Sequence, residues 1–88
     1  MTREEIKSAI LNMFKEIFEI DNPGLDDNLR EMYQFDSIDA IELIREIERL
    51  VGSELNLEEK DQAMGIRTIN QIIMYVESLF EARSIRVN

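Results

Sequence analysis

Apolar residues fall into four separate runs along this chain, and each run repeats at helical rather than strand spacing. Ile6, Ile10, Met13, Phe14, Ile17 and Phe18 form the first, preceded by Thr2 and Glu5, whose side chains can each satisfy the other residue's free backbone N–H in a capping box. Asp21, Asn22, Pro23 and Gly24 close it with a turn-forming cluster. A long loop follows, with Leu25, Leu29, Met32 and Phe35 as its expected inward anchors. The second run opens at Asp36 or Ser37, passes through Ile41, Ile44, Ile47 and Val51, and stops at Gly52, a residue suited to the left-handed position after a helix. Asn56 with Glu59 begins a short third helix ending at Gly65, and Thr68 with Gln71 begins a fourth, striped by Ile69, Ile72, Ile73, Val76, Leu79 and Phe80. Sustained period-two alternation is absent, and no Asn-Gly or Asp-Gly hairpin turn occurs. The pattern therefore predicts an all-α domain over residues 1–88: a small four-helix bundle of three longer helices and one short one, with a long loop between the first two. Residues 84–88 have little to hold them and are expected to fray.

Composition narrows what such a bundle can do. With 88 residues there is room for one modest core, and a chain of this size buries only about 60% of the surface its unfolded state exposes. An apolar fraction of 44% is enough for a folded globule. No apolar run is long enough to span a membrane and no signal-peptide pattern is present, so the expected compartment is the cytoplasm. The chain has neither cysteine nor histidine. It thus lacks disulfides, a thiolate nucleophile, the commonest general base and the commonest zinc ligands, which argues against an enzyme or a metal site. A calcium loop at Asp21 to Asp27 fails for want of spaced acids, a sixth-position glycine and a closing glutamate. Weak screening of the acidic helix by divalent ions is compatible with the charge.

Net charge is −9, and it is concentrated. Residues 1–20 sum to −1 and residues 62–88 to +1, whereas residues 21–61 carry thirteen acids against Arg30, Arg45, Arg49 and Lys60. Such a field repels nucleic acid and anionic lipid and attracts basic protein surfaces. On a helical wheel of residues 36–51, Ala40, Ile41, Leu43, Ile44, Ile47, Leu50 and Val51 share one arc, and Asp39, Glu42, Arg45, Glu46 and Arg49 fill the other. Ile38 is out of place, since it projects among the charges. An apolar tip with a charged rim is the pattern of a small protein-docking site. Ser37 beside it reads two ways from the residues alone: a helix cap, or an exposed site of covalent modification whose phosphodiester product would lie near a helix N-terminus.

The run Asp36, Ser37, Ile38, Asp39, Ala40, Ile41, Glu42 and Leu43 resembles the attachment motif of acyl carrier proteins, in which Asp-Ser-Leu-Asp opens the second helix and an apolar-Glu-Leu follows. Helix order and loop lengths are similar over residues 2–82. The resemblance implies a monomeric carrier, not an enzyme. Its Ser37 would receive 4′-phosphopantetheine from coenzyme A, by a separate magnesium-using phosphopantetheinyl transferase, between Asp36 and Asp39. Cargo would ride as a thioester for fatty-acid, lipid or polyketide-type biosynthesis. Ile38, Glu42 and Glu48, with Arg45, Glu46 and Arg49 on or beside the same face, would meet acyl-processing partner enzymes. Ile44, Ile47, Met64 and Ile66 are candidate walls for an acyl cavity, or plain core. Tyr33, Gln34 and Phe35 depart from the family's Leu-Gly-small sequence, Arg45 from an apolar position and Arg49 from a common acid, while Asn56 and Leu57 lie where a proline often follows an isoleucine. These departures point to a specialised carrier with dedicated partners. A carrier of aminoacyl, peptidyl or D-alanyl cargo and a non-carrier acidic adaptor remain the alternatives.

Overall fold

Local capping chemistry sets where each helix begins. A computed structural model describes the backbone of residues 1–87 and the side chains of residues 1–83. Helix α1 spans Arg3–Ile17 behind a complete Thr2–Glu5 capping box. Helix α3 spans Ser37–Val51 and α4 spans Leu57–Met64, behind the Asp36–Asp39 and Asn56–Glu59 boxes. Helix α5 spans Ile69–Val87. At its start Thr68 and Gln71 exchange side-chain-to-backbone hydrogen bonds of 3.1 and 3.2 Å. The side chains of residues 84–88, where fraying is expected, lie outside those described.

The long loop contains one element that the apolar pattern did not announce. Leu29–Tyr33 forms a five-residue helix, α2, capped by the Asn28 carboxamide, which accepts from the N–H groups of Arg30 and Glu31. Its five residues are too few for any periodicity to be visible. Only Leu29 on α2 is fully buried; Met32, expected as an anchor, is 59% exposed. Tyr33 takes the inward place instead and donates its hydroxyl proton to Asp27 at 2.7 Å. That contact, with burial and the Asp27 charge, raises the Tyr33 pKa above its ordinary value. Asp27 also accepts from the Gly24 N–H at 2.9 Å, and a side chain at Gly24 would collide with the Asp27 carboxylate. The loop is then sewn to the start of α5: Leu29 N–H to the Arg67 carbonyl, Asn70 N–H to the Leu25 carbonyl, and the Asn70 amide to Asp26.

Helix α5 packs against α1 and α3, and α4 closes on α3. The core is Ile6, Ile10 and Phe14 from α1, Leu43, Ile44 and Ile47 from α3, and Ile69, Ile72, Ile73, Val76 and Leu79 from α5, with Leu29, Phe35 and Leu55 from the connections. No polar side chain is fully buried among the described residues. One edge of the core is aromatic: Phe14, Phe18 and Phe35 place their ring centroids 5.1–5.4 Å apart in a closed triangle. At the opposite edge Arg83 ties α5 to the turn before α4, donating to both Glu59 carboxylate oxygens at 3.1 and 3.2 Å and to Ser53 and the Glu54 carbonyl. These contacts raise the Arg83 pKa further, chiefly through the Glu59 hydrogen bonds. Tyr75 beneath it donates to the Glu59 carbonyl, and burial followed by the Glu59 charge pushes its phenol up to about 12.

Candidate functional site

The segment leading into α3 is fixed at two successive residues. Gln34 ends α2 in the left-handed region at φ 56°, and the Phe35 N–H bonds back to the Leu29 carbonyl at 3.2 Å. Phe35 itself is buried against Phe14 and Phe18. Asp36 is therefore delivered to the helix start by an anchored chain, and it takes the capping role. Its Oδ1 accepts from the Asp39 N–H, and Asp39 Oδ2 accepts from the Asp36 N–H, both at 3.0 Å. The Asp39 N–H is the main cause holding the Asp36 carboxyl below its usual value.

Ser37 is the first helical residue, exposed, and its hydroxyl has no hydrogen-bond partner among the described residues. The cap and the serine are thus different residues. Ile38 follows at 76% exposure. Down the same face the charges are paired along the helix rather than bare: Arg45 with Glu42 at 3.7 Å and Arg49 with Glu46. Glu46 is largely covered by this pairing face, whereas both arginines stay open. Glu48 lies about 80° round the helix from Ile38 at 100° per residue, and its carboxylate accepts the Leu55 N–H at 2.9 Å. It closes the α3–α4 turn in addition to any docking role.

Between α3 and α4 runs an open groove of about 490 Å³. Ile41, Ile44, Arg45 and Glu48 form one wall; Leu57, Lys60, Asp61 and Met64 form the other. Of the four residues nominated for a cavity, Ile44 and Met64 line it. Ile47 does not reach it, because it sits about 60° further round α3 and is fully buried in the core. Ile66 is half-buried against the core beyond the end of α4 and also stays outside the groove. Two apolar lining residues were not foreseen as such. Ile41, grouped there with the core stripe, is 49% exposed because it lies about 120° from the core-facing Ile47. Leu57, at 84%, is the more visible omission, an apolar residue opening the polar run Glu58, Glu59, Lys60, Asp61. With Ile38 these residues make a discontinuous apolar strip that leads from Ser37 along the groove.

Residues 8–76 match the family model described as a phosphopantetheine attachment site. The chain belongs to the acyl carrier protein family. An acyl carrier protein of Lactobacillus johnsonii is 34% identical over 89% of this chain and 96% of its own length. One of Lactobacillus acidophilus is 31% identical over the same shares, and acyl carrier protein 2 of Ralstonia nicotianae is 33% identical over 93% of this chain and the whole of its own. No solved structure matches at a significant level. As in other acyl carrier proteins, the prosthetic group is 4′-phosphopantetheine and the chain is a carrier rather than an enzyme. The α3 start fits such a group: an open, unpartnered serine hydroxyl, a capping duty discharged by its neighbour, and a helix N-terminus that favours a phosphodiester. Among the described residues no three acids cluster to hold a metal, and no helix is long and apolar enough to cross a membrane. The family departures also acquire physical content. Gln34 occupies a left-handed position that glycine adopts without strain, and Phe35 fills a core site that a small residue would leave open.

Proposed function

We propose that this chain carries acyl intermediates on a 4′-phosphopantetheine arm attached to Ser37 Oγ, for fatty-acid, lipid or polyketide-type synthesis. The observation that carries this reading is the division of labour at the α3 start, where Asp36 caps the helix and Ser37 is left exposed and unbonded. When attached, the arm supplies a thiol on which cargo is held as a thioester, a sulfur that a chain without cysteine cannot provide itself. Asp36 and Asp39 frame the attachment point. The Ile41, Ile44, Leu57 and Met64 side chains offer the cargo an apolar resting place.

Partner enzymes, the transferase first among them, meet α3 at Ile38 with Glu42, Glu46 and Glu48 around it. Arg45 and Arg49 neutralise two of those acids in place, so generic basic surfaces gain less here and a partner with a matching acid gains more. We read the protein as a specialised, monomeric carrier of the cytoplasm. Intact-mass measurement after incubation with coenzyme A, magnesium and a broad-specificity phosphopantetheinyl transferase should show one added arm. Ser37→Ala should show none. An unmodified wild-type protein would overturn the proposal and turn attention to a non-carrier acidic adaptor.

A further inference from the structure

In a chain with 19 acids, arginines find carboxylates easily. Arg3, Arg45, Arg49 and Arg83 are each within 4 Å of one, through Glu77, Glu42, Glu46 and Glu59. Among the described residues Arg30 and Arg67 are the exceptions. Both are half-buried, and both turn their guanidinium groups to a single backbone oxygen, the Met64 carbonyl at the end of α4, at 3.1 and 3.2 Å. Arg67 adds the Ile66 carbonyl at 3.1 Å, and the Arg30 Nε is buried with no partner at all. Two like charges are thereby held close together, their combined donors largely unspent on two carbonyls. A helix C-terminus attracts one cation; it supplies no full negative charge to balance two. Paired guanidinium forks are the preferred receptor for a planar or tetrahedral oxyanion.

We infer that Arg30 and Arg67 form a binding site for a small oxyanion, a carboxylate or a phosphate, beside the Met64 end of the groove. A free phosphate-bearing metabolite and the terminal carboxylate of a cargo chain share the required chemistry. The site uses nothing at Ser37, so it stands or falls separately from the attachment reading, and Ser37→Ala should bind the anion like the wild type.

The test is a titration of the apo protein, following the side-chain Nε–H resonances of arginine, with inorganic phosphate and with succinate, each against sodium chloride at equal ionic strength. Saturable shifts at Arg30 and Arg67 are expected. They should be weakened roughly tenfold in affinity, the loss of about one charge-assisted bond, by Arg67→Lys, which keeps the charge but loses the fork. Arg30→Gln should abolish them; its melting curve, read without added anion, separates lost folding from lost binding. Tighter phosphate would name a metabolite, tighter succinate a carboxyl-bearing cargo. Shifts no larger than those in chloride, or saturable shifts unchanged in a folded Arg67→Lys protein, would overturn the inference and leave the pair as a cap on α4.

Discussion

Phe35 is the residue whose loss should do most to connect stability with function. It stands one position before the capping aspartate, 4% exposed, with Phe14 and Phe18 against it at 5.4 and 5.1 Å. Phe35→Ala removes a whole buried ring. Such substitutions cost about 3–5 kcal/mol, from lost transfer energy and from the cavity that remains. Two factors favour the upper half of that range. The triangle loses two of its three ring contacts, each worth about 0.5–1.5 kcal/mol beyond burial. The neighbouring chain cannot easily collapse inward either, since its N–H is committed to the Leu29 carbonyl and the next residue to the α3 cap. A domain of this size has a total stability of roughly 4–13 kcal/mol, so the variant should be marginal. Its Tm should fall by about 15–40 °C, at about 4–8 °C per kcal/mol. Urea unfolding followed by helical circular dichroism, at low temperature where both proteins are folded, measures the difference directly. Phe35→Leu should lose clearly less. A loss under about 1 kcal/mol for Phe35→Ala with an unchanged urea slope would refute the view that this ring anchors the approach to Ser37.

Gln34→Gly should be neutral to stabilising by up to about 1 kcal/mol, because relief of the left-handed strain outweighs glycine's extra freedom in the unfolded chain; a destabilised variant in thermal melts would contradict this. Arg83→Met should cost about 1–3 kcal/mol, since it takes the guanidinium fork away from the Glu59 carboxylate, leaving the Asn56 N–H on it, and frees the α3–α4 turn from α5; hydrogen exchange should quicken at residues 53–59. The Asp36 carboxyl is held below the ordinary aspartate value by the Asp39 N–H, so its contribution is present above that ordinary value and fades as pH falls through the lowered folded one; Asp36→Asn should lower Tm at neutral pH and match the wild type in strong acid, and an equal deficit at both would count against it. Arg45→Met with Arg49→Glu unpairs Glu42 and Glu46 and should raise catalytic efficiency with general fatty-acid enzymes; unchanged kcat/KM would argue against the specialised-carrier reading.

Much of this was legible along the chain because it depends on neighbours in sequence. Caps and stripes span three or four residues, so the Thr2, Asn56 and Thr68 starts, a start at Asp36 or Ser37, and the stop at Gly52 could be read without a fold. The oddity of Ile38 was visible for the same reason, as one apolar residue on the wrong side of a helical wheel. Helix α2 was not, since one turn of helix carries no period. Nor was the exposure of Met32, decided by Tyr33 reaching Asp27 and taking the inward place.

What the amino-acid order determined by itself, then, is the set of amphipathic helices, the concentration of acid in residues 21–61, and the motif around Ser37. Tertiary structure alone decided which of two adjacent residues caps α3, that the α3 arginines pair with acids on their own helix, and that the groove takes Ile41 and Leu57 while Ile47 goes to the core. It also brought Arg30 and Arg67, 37 positions apart, onto one carbonyl. The physical reason is the same in each case. A periodic pattern says which face of a helix is apolar, but the depth of burial at the edge of that face, and the partner a charged side chain finds, depend on what packs across from it.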